Sequence, residues 1–282
     1  MILHQPMNIQ FGNLIPSELY VEYPIAERVM ECFWDRMDFP NPHRPLGCLL
    51  VGDPDNGKSR ILKQWIHDYS NAVTPLGVGD LVPIVYVDAP SRCSQKHLYQ
   101  EFGRKLRVPI AERMNLDRSD SVLMDHLEKA GTKVIVIDEL QHLYTGGSLK
   151  FRAVLDRLKT FSNTLGITIF AAGTELAYDL IRDDEQYLSR MPPMRLPGWD
   201  LNENYLGLLL AFEEEMNVPQ GSFTSKDASS LIWKHSGRSI GRTVRVLNDT
   251  LKEANRRNGQ EITLDDINRA GFSDLPWVVG ED

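Results

Sequence analysis

Eight consecutive residues constrain this chain more than any other feature: Gly52-Asp53-Pro54-Asp55-Asn56-Gly57-Lys58-Ser59 fits the pattern G-x-x-x-x-G-K-[ST]. A short apolar run, residues 46–51, precedes the loop, and a helical pattern over 59–69 follows it. A strand that is apolar on both faces and runs through a glycine loop into a helix calls for a parallel sheet covered by helices. The glycines let backbone N–H groups turn toward one centre, where they and the helix N-terminus cradle phosphate oxygens. Lys58 would reach the β- and γ-phosphates of ATP, and Ser59 would bind Mg2+. Arg60 continues the same turn. A glycine loop that merely caps a helix is the plainer alternative, and the strand before and helix after it weigh against that. Asp53 and Asp55 are awkward beside a triphosphate unless their side chains face solvent while the backbone binds.

A second apolar run ends in two acids, Val134-Ile135-Val136-Ile137-Asp138-Glu139. Uncompensated buried charge is costly, so a carboxylate pair at the end of a core strand needs a role. At the C-terminal edge of a parallel sheet, beside the phosphate loop, it has one. Asp138 would hold Mg2+ through its water shell, and Glu139 would orient and deprotonate the attacking water. Asp138 could also cap the residues that follow it. The Asp-Glu pair favours water as the phosphoryl acceptor.

Strands are expected at 46–51, 82–87, 133–138 and 167–172, with helical stretches at 24–37, 59–69, 95–106, 122–130 and 150–165. This alternation gives an α/β fold, a three-layer αβα core with a parallel sheet. After Pro197-Gly198-Trp199 the pattern becomes wholly helical, at 201–216, 225–235, 240–255 and 264–270. The expected organisation is an N-terminal segment 1–22, an ATPase core 23–198, a small helical lid 199–270 and a tail 271–282.

No apolar run approaches the roughly 20 residues of a membrane-spanning helix, and the first residues lack the pattern of a secretion signal. A cytoplasmic protein with no membrane partner is therefore expected. Cys32, Cys48 and Cys93 are odd in number and lack C-x-x-C spacing, which favours free thiols over a disulfide framework or zinc site. The net charge of −8 argues against a general nucleic-acid coat. Yet residues 92–118 carry seven basic side chains against three acidic ones, while Asp183-Asp184-Glu185 and Glu213-Glu214-Glu215 carry the opposite sign.

Beyond the fourth strand, Thr174 could place a hydroxyl between the γ-phosphate and the catalytic carboxylate. Arg190, with Arg182 and Arg195 as substitutes, could point across a subunit boundary and stabilise charge on a neighbour's γ-phosphate. A surface ion pair is the plainer reading of Arg190. In the helical region, Arg242 and Arg245 share one helix face, and Arg242 is the choice for a residue closing onto the nucleotide.

With these pieces in order the chain resembles the TniB family of transposon-encoded ATP-binding proteins, relatives of the AAA+ regulator TnsC. The resemblance runs from about residue 23 to 255 and rests on Tyr23-Pro24-x-Ala26, the phosphate loop and Val136-Ile137-Asp138-Glu139-Leu140-Gln141-His142. Gly173-Thr174-Glu175-Leu176-Ala177, Leu188-Ser189-Arg190, Leu196-Pro197-Gly198-Trp199 and residues 237–247 complete it. It implies an ATP-dependent target-site factor for DNA transposition. Such a factor forms a homo-oligomeric ring or filament on double-stranded DNA and recruits a transposase, with a TniQ-type adaptor as a further partner. It also implies DNA contacts at Arg92 and Lys96, largely independent of sequence, and a place for Tyr23 and Pro24 beside adenine. Ser59 stands where threonine is common, which keeps the hydroxyl. Other readings remain open: a different AAA+ DNA machine such as a helicase loader, a P-loop small-molecule kinase, or an ATP-binding adaptor with negligible turnover.

Overall fold

Alternation of apolar side chains along short strands decides the architecture. The computed structural model describes residues 11–38, 46–73, 81–89, 94–144 and 147–272. Contacts divide the chain into two units. One holds Ile25–Asp53 and Lys58–Pro197; the other holds the N-terminal segment through Pro24, the loop tip Pro54–Gly57 and the chain from Gly198 onward.

The first unit is built on five strands: β1 (Cys48–Gly52), β2 (Ile84–Asp88), β3 (Val134–Asp138), β4 (Thr168–Gly173) and β5 (Pro193–Leu196). They lie in the order β2-β3-β4-β1-β5, every pairing parallel. The helices of this part are α1 (Pro24–Asp38), α2 (Lys58–Val73), α3 (Gln95–Lys105), α4 (Leu116–Lys129), α5 (Ser148–Leu165), α6 (Glu175–Ile181) and α7 (Glu185–Leu188). Ile135 and Ile137 of β3, Leu49 and Val51 of β1 and Ala171 of β4 join one core with Leu98, Phe102, Leu123, Phe151 and Ile181 from α3 to α6. The alternate residue Phe170 stacks on Phe33 of α1, with ring centroids 4.3 Å apart, and meets Trp65 of α2 edge-on at 5.1 Å. Successive strand side chains point to opposite faces, so the sheet is covered on both. The α/β expectation holds.

The expected four strands fall on β1 to β4, but β5 was not foreseen. Its sequence, Pro193-Met194-Arg195-Leu196, follows a second proline, and proline interrupts a central ladder. The strand escapes that constraint because it is the edge strand and begins at Pro193. Cys32 of α1 and Cys48 of β1 are free thiols; Cys93 lies outside the described residues.

The second unit is helical, with α8 (Glu203–Met216), α9 (Lys226–Ser236), α10 (Ile240–Arg256) and α11 (Leu264–Phe272). The N-terminal segment belongs with these helices. Asn255 bonds both the N–H and the carbonyl of Phe11 at 2.9 Å, Asn248 accepts from the Ile15 N–H at 2.9 Å, and the Asn13 N–H donates to the Met216 carbonyl at 2.7 Å. Among the described residues no helix is long and apolar enough to cross a membrane.

The acidic run 213–215 is not a uniform surface charge. Glu213 is only 1% exposed; its carboxylate accepts from the backbone N–H groups of Gly221, Phe223 and Thr224 and from the Thr224 hydroxyl. It thereby closes the turn between α8 and α9. Glu213→Ala strands those donors, and hydrogen bonds to a charged group contribute roughly 1.5–3 kcal/mol each. The unfolding midpoint in urea should fall by an amount equivalent to about 3 kcal/mol or more, whereas Glu214→Ala should change little.

Candidate functional site

Three neighbouring strands end at one edge of the sheet, and the phosphate loop, Asp138, Glu139 and Thr174 follow from those ends. β4 lies between β1 and β3. Val51 is level with Gly173, and Ile137 with Ala171. Adjacent strands lie about 4.8 Å apart, so the phosphate loop and Asp138 leave the sheet roughly 10 Å from each other, with Thr174 on the strand between them.

The loop begins with Gly52, where a Cβ would sit 3.0 Å from the Leu196 carbonyl oxygen, a tight approach. Lys58 opens α2 and is 3% exposed. Its ammonium donates to the carbonyls of Gly52 (2.8 Å) and Asp53 (2.7 Å), which holds it within the mouth of the loop. Ser59 and Arg60 follow on the first helical turn, both half-buried. Asp53, Pro54 and Asp55 are exposed, as the two aspartates needed to be, and Asn56 is buried.

The loop tip Pro54–Gly57 is grouped with the helical unit. Asp55 and Gly57 adopt positive φ, 60° and 88°; aspartate tolerates that region and glycine occupies it without strain. The Asp55 carbonyl accepts from the Gly241 N–H at 2.8 Å and the Ser239 hydroxyl at 2.9 Å. A Cβ on Gly241 would come within 2.8 Å of that oxygen. Arg242 is exposed on the next residue of α10.

Tyr23 is buried, its ring 4.7 Å from that of Trp199, and its hydroxyl has no hydrogen-bond partner among the described residues. Burial pushes that phenol well above its usual range. A Cβ on Gly57 would lie 3.6 Å from the hydroxyl. An orphaned buried donor beside a glycine-only turn fits a site shaped for a polar ligand. The donor set of Lys58 and Ser59, at the N-terminus of α2, fits a polyphosphate.

Asp138 is 2% exposed. Its carboxylate accepts from the Tyr86 hydroxyl and the Glu139 N–H, each at 3.0 Å. Burial, reinforced by Asp138, raises the Tyr86 phenol far above its usual range. Tyr86 was not anticipated; its signal was one aromatic residue inside an aliphatic strand. Glu139 has left-handed backbone angles, φ 54° and ψ 46°. The Gln141 amide donates to its carboxylate and accepts from the Thr174 N–H at 3.2 Å. His142 pairs through Nδ1 with the Ala89 carbonyl at 2.8 Å, a packing role.

The arginines separate. The Arg190 carbonyl accepts from the Gly47 N–H at 2.6 Å, which puts Arg190 at the opposite end of β1 from the loop. Its guanidinium donates to Asn163 at 2.8 Å. Arg195 is level with Val51, pairs with Glu175 and lies 4.7 Å from the Tyr178 ring centroid. Arg182 pairs with Asp179 and Asp183. Arg92 lies outside the described residues. The Lys96 ammonium donates to the Met114 carbonyl and the Ser119 hydroxyl, tying α3 to α4, while Arg104, Lys105, Arg113 and Arg118 are exposed nearby.

Comparison with known proteins follows the same lines. The family model described as "Bacterial TniB protein" matches residues 12–201. Among solved structures, the chain is similar to Cdc6p from Pyrobaculum aerophilum, with TM-score 0.72 and 18% identity over 93% of this chain and 70% of that one. The Aeropyrum pernix ORC2 protein, solved as ADPNP-ADP complexes, gives TM-score 0.68 and 16% identity over 95% of this chain and 71% of that one. The Aeropyrum pernix ORC1 protein, solved in complex with DNA, gives TM-score 0.68 and 17% identity over 87% of this chain, which spans only 63% of that protein's chain. At such identities the likeness establishes the AAA+ fold alone. No curated protein matches the chain.

Asp88 and Asp138 are register partners on β2 and β3, and burial followed by the Asp138 charge raises the Asp88 carboxyl above its usual value. A carboxyl raised in the folded state binds more protons there, so its contribution to stability falls as pH rises from its ordinary value through the raised one. Asp88 is exposed, so Asp88→Asn should raise Tm only slightly at pH 7, with the gain shrinking below about pH 4. An unchanged or lower Tm at pH 7 would contradict this.

Proposed function

Because the chain belongs to the TniB family of bacterial proteins, we propose that it is an ATPase that assembles with ATP on double-stranded DNA and readies that DNA for a transposase. The observation that carries the reading is the shared edge of β1, β4 and β3, where Lys58, Thr174, Asp138 and Glu139 end side by side. ADPNP-ADP complexes of one structural relative and the DNA complex of another support it.

In this reading the loop N–H groups and Lys58 bind the triphosphate of ATP, and Glu139 takes a proton from the attacking water. Mg2+ bound with the nucleotide would be held by the Ser59 hydroxyl and Asp138 and would neutralise charge on the phosphates. Tyr23, with its neighbour Pro24, would offer its hydroxyl and ring to the rest of the nucleotide. Arg190 serves a neighbouring subunit. Five residues of β1, about 16 Å at roughly 3.3 Å per residue, separate its end of the sheet from its own loop. Arg195, level with the loop, suits that role less.

Hydrolysis then weakens the subunit contact and releases or trims the oligomer. Contact with duplex phosphates falls to the basic segment 92–118. There the exposed Arg104, Lys105, Arg113 and Arg118 are better placed than Lys96, whose amine already holds α3 against α4. A TniQ-type adaptor and the transposase are the further partners.

Electron microscopy of the full chain with double-stranded DNA and a non-hydrolysable ATP analogue tests this directly. Nucleotide-dependent rings or filaments are expected, absent in Lys58→Ala. Arg190→Ala should lower DNA-stimulated ATP hydrolysis by about 10³-fold or more while leaving binding of a fluorescent ATP analogue to the isolated subunit intact. A chain that stays monomeric and off DNA in every nucleotide state would refute the assembly reading. Phosphorylation of a small molecule in place of water would favour a kinase.

A further inference from the structure

Glu139 is a non-glycine residue in the left-handed region, a conformation that costs on the order of 1 kcal/mol and persists only where its surroundings enforce it. The partner of its carboxylate is Gln141. Its side chain reaches back two residues so that Nε2 donates to Oε2 of Glu139.

The orientation of that amide is not arbitrary. A backbone N–H can only donate, so the Thr174 N–H, 3.2 Å away, must face the amide oxygen. The amide NH2 is thereby turned toward Glu139, whose Oε2 accepts from it. Each end of the bridge fixes the other.

The sequence makes room for this bridge. Gly173 ends β4, and a Cβ there would sit 2.5 Å from both the Ala177 Cβ of α6 and the Gln141 amide oxygen. Gly173 has no positive φ to explain it; close approach does. Glycine at the tip of β4 admits the Gln141 amide, which joins the tip of β3 to the tip of β4.

We propose that Gln141 is a positioning residue for hydrolysis. Anchored on the Thr174 N–H, it ties one oxygen of the Glu139 carboxylate and leaves the other to take the proton of the attacking water. The inference rests on the reading of Glu139 as the base. It adds that the β4 tip acts on hydrolysis through Gln141 as well as through any contact of Thr174 with phosphate.

The test is steady-state ATP hydrolysis by the full chain with duplex DNA, with binding of a fluorescent ATP analogue measured in parallel. Gln141→Glu keeps the shape of the side chain but replaces the donor facing Glu139 with an acceptor. Its kcat should fall about 10- to 100-fold, the range seen when an orienting partner is lost, while KM and analogue affinity stay within about twofold. Gln141→Ala should fall by a similar factor.

Gly173→Ala reaches the same bridge from the other side. If it folds, the Gly173→Ala/Gln141→Ala pair should be no slower than the slower single variant; if it does not fold, Gln141→Glu decides. Wild-type kcat in Gln141→Glu, with Glu139→Gln inactive, would overturn the proposal and leave the reading of Glu139 intact. Full activity in Glu139→Gln would remove both. Parallel losses of kcat, analogue affinity and Tm would assign Gln141 a merely structural role and overturn the proposal too.

Discussion

The structure depends on one constraint: a parallel sheet buried on both faces can carry polar chemistry only where its strands end. The interiors of β1, β3 and β4 are filled with Val, Ile, Leu, Phe and Ala, because helices cover both sides. Polar groups gather at the carboxyl edge, where chain direction delivers the ends of β1, β4 and β3 together. Parallel pairing and strand order therefore place residues more than a hundred positions apart within one site, with no long loop required. The same constraint puts Arg190 at the far end of β1.

Much of this was legible because the chemistry is written in consecutive residues. The phosphate loop and the Asp138-Glu139 pair each combine a buried strand with a polar terminus, and the helical region after Pro197 announces itself by its change of period. What stayed hidden was set by long-range pairing. β5 was masked by Pro193, which reads as a strand breaker until the strand is seen to be at an edge. Glu213 looked like one of three surface acids until the turn after α8 folded its N–H groups onto it. Phe11, Asn13 and Ile15 find partners more than two hundred residues away, through Asn and backbone groups that carry no hydrophobic signal.

The site shows the same division. Lys58, Ser59, Asp138, Glu139 and Thr174 were named from motif and context, and the fold places them along one edge. Gln141 and Tyr86 act through side-chain bonds that no spacing rule encodes, although Gln141 stood in plain view two residues after Glu139. Lys96 shows the opposite limit. The family resemblance implied a phosphate contact for it, but the folded chain uses its amine to join α3 and α4. A charge in the sequence gives no indication of whether its partner is solvent, ligand or the protein itself.

Binding of the ATP triphosphate at the edge formed by β1, β4 and β3, as proposed, is open to a decisive experiment. That experiment is an experimental structure of the full chain with a non-hydrolysable ATP analogue and Mg2+. Phosphate oxygens should lie against the backbone N–H groups of residues 52–59, with the Lys58 ammonium moved from the Gly52 and Asp53 carbonyls onto them. Nucleotide bound elsewhere, with Lys58 still on those carbonyls, would contradict the proposal.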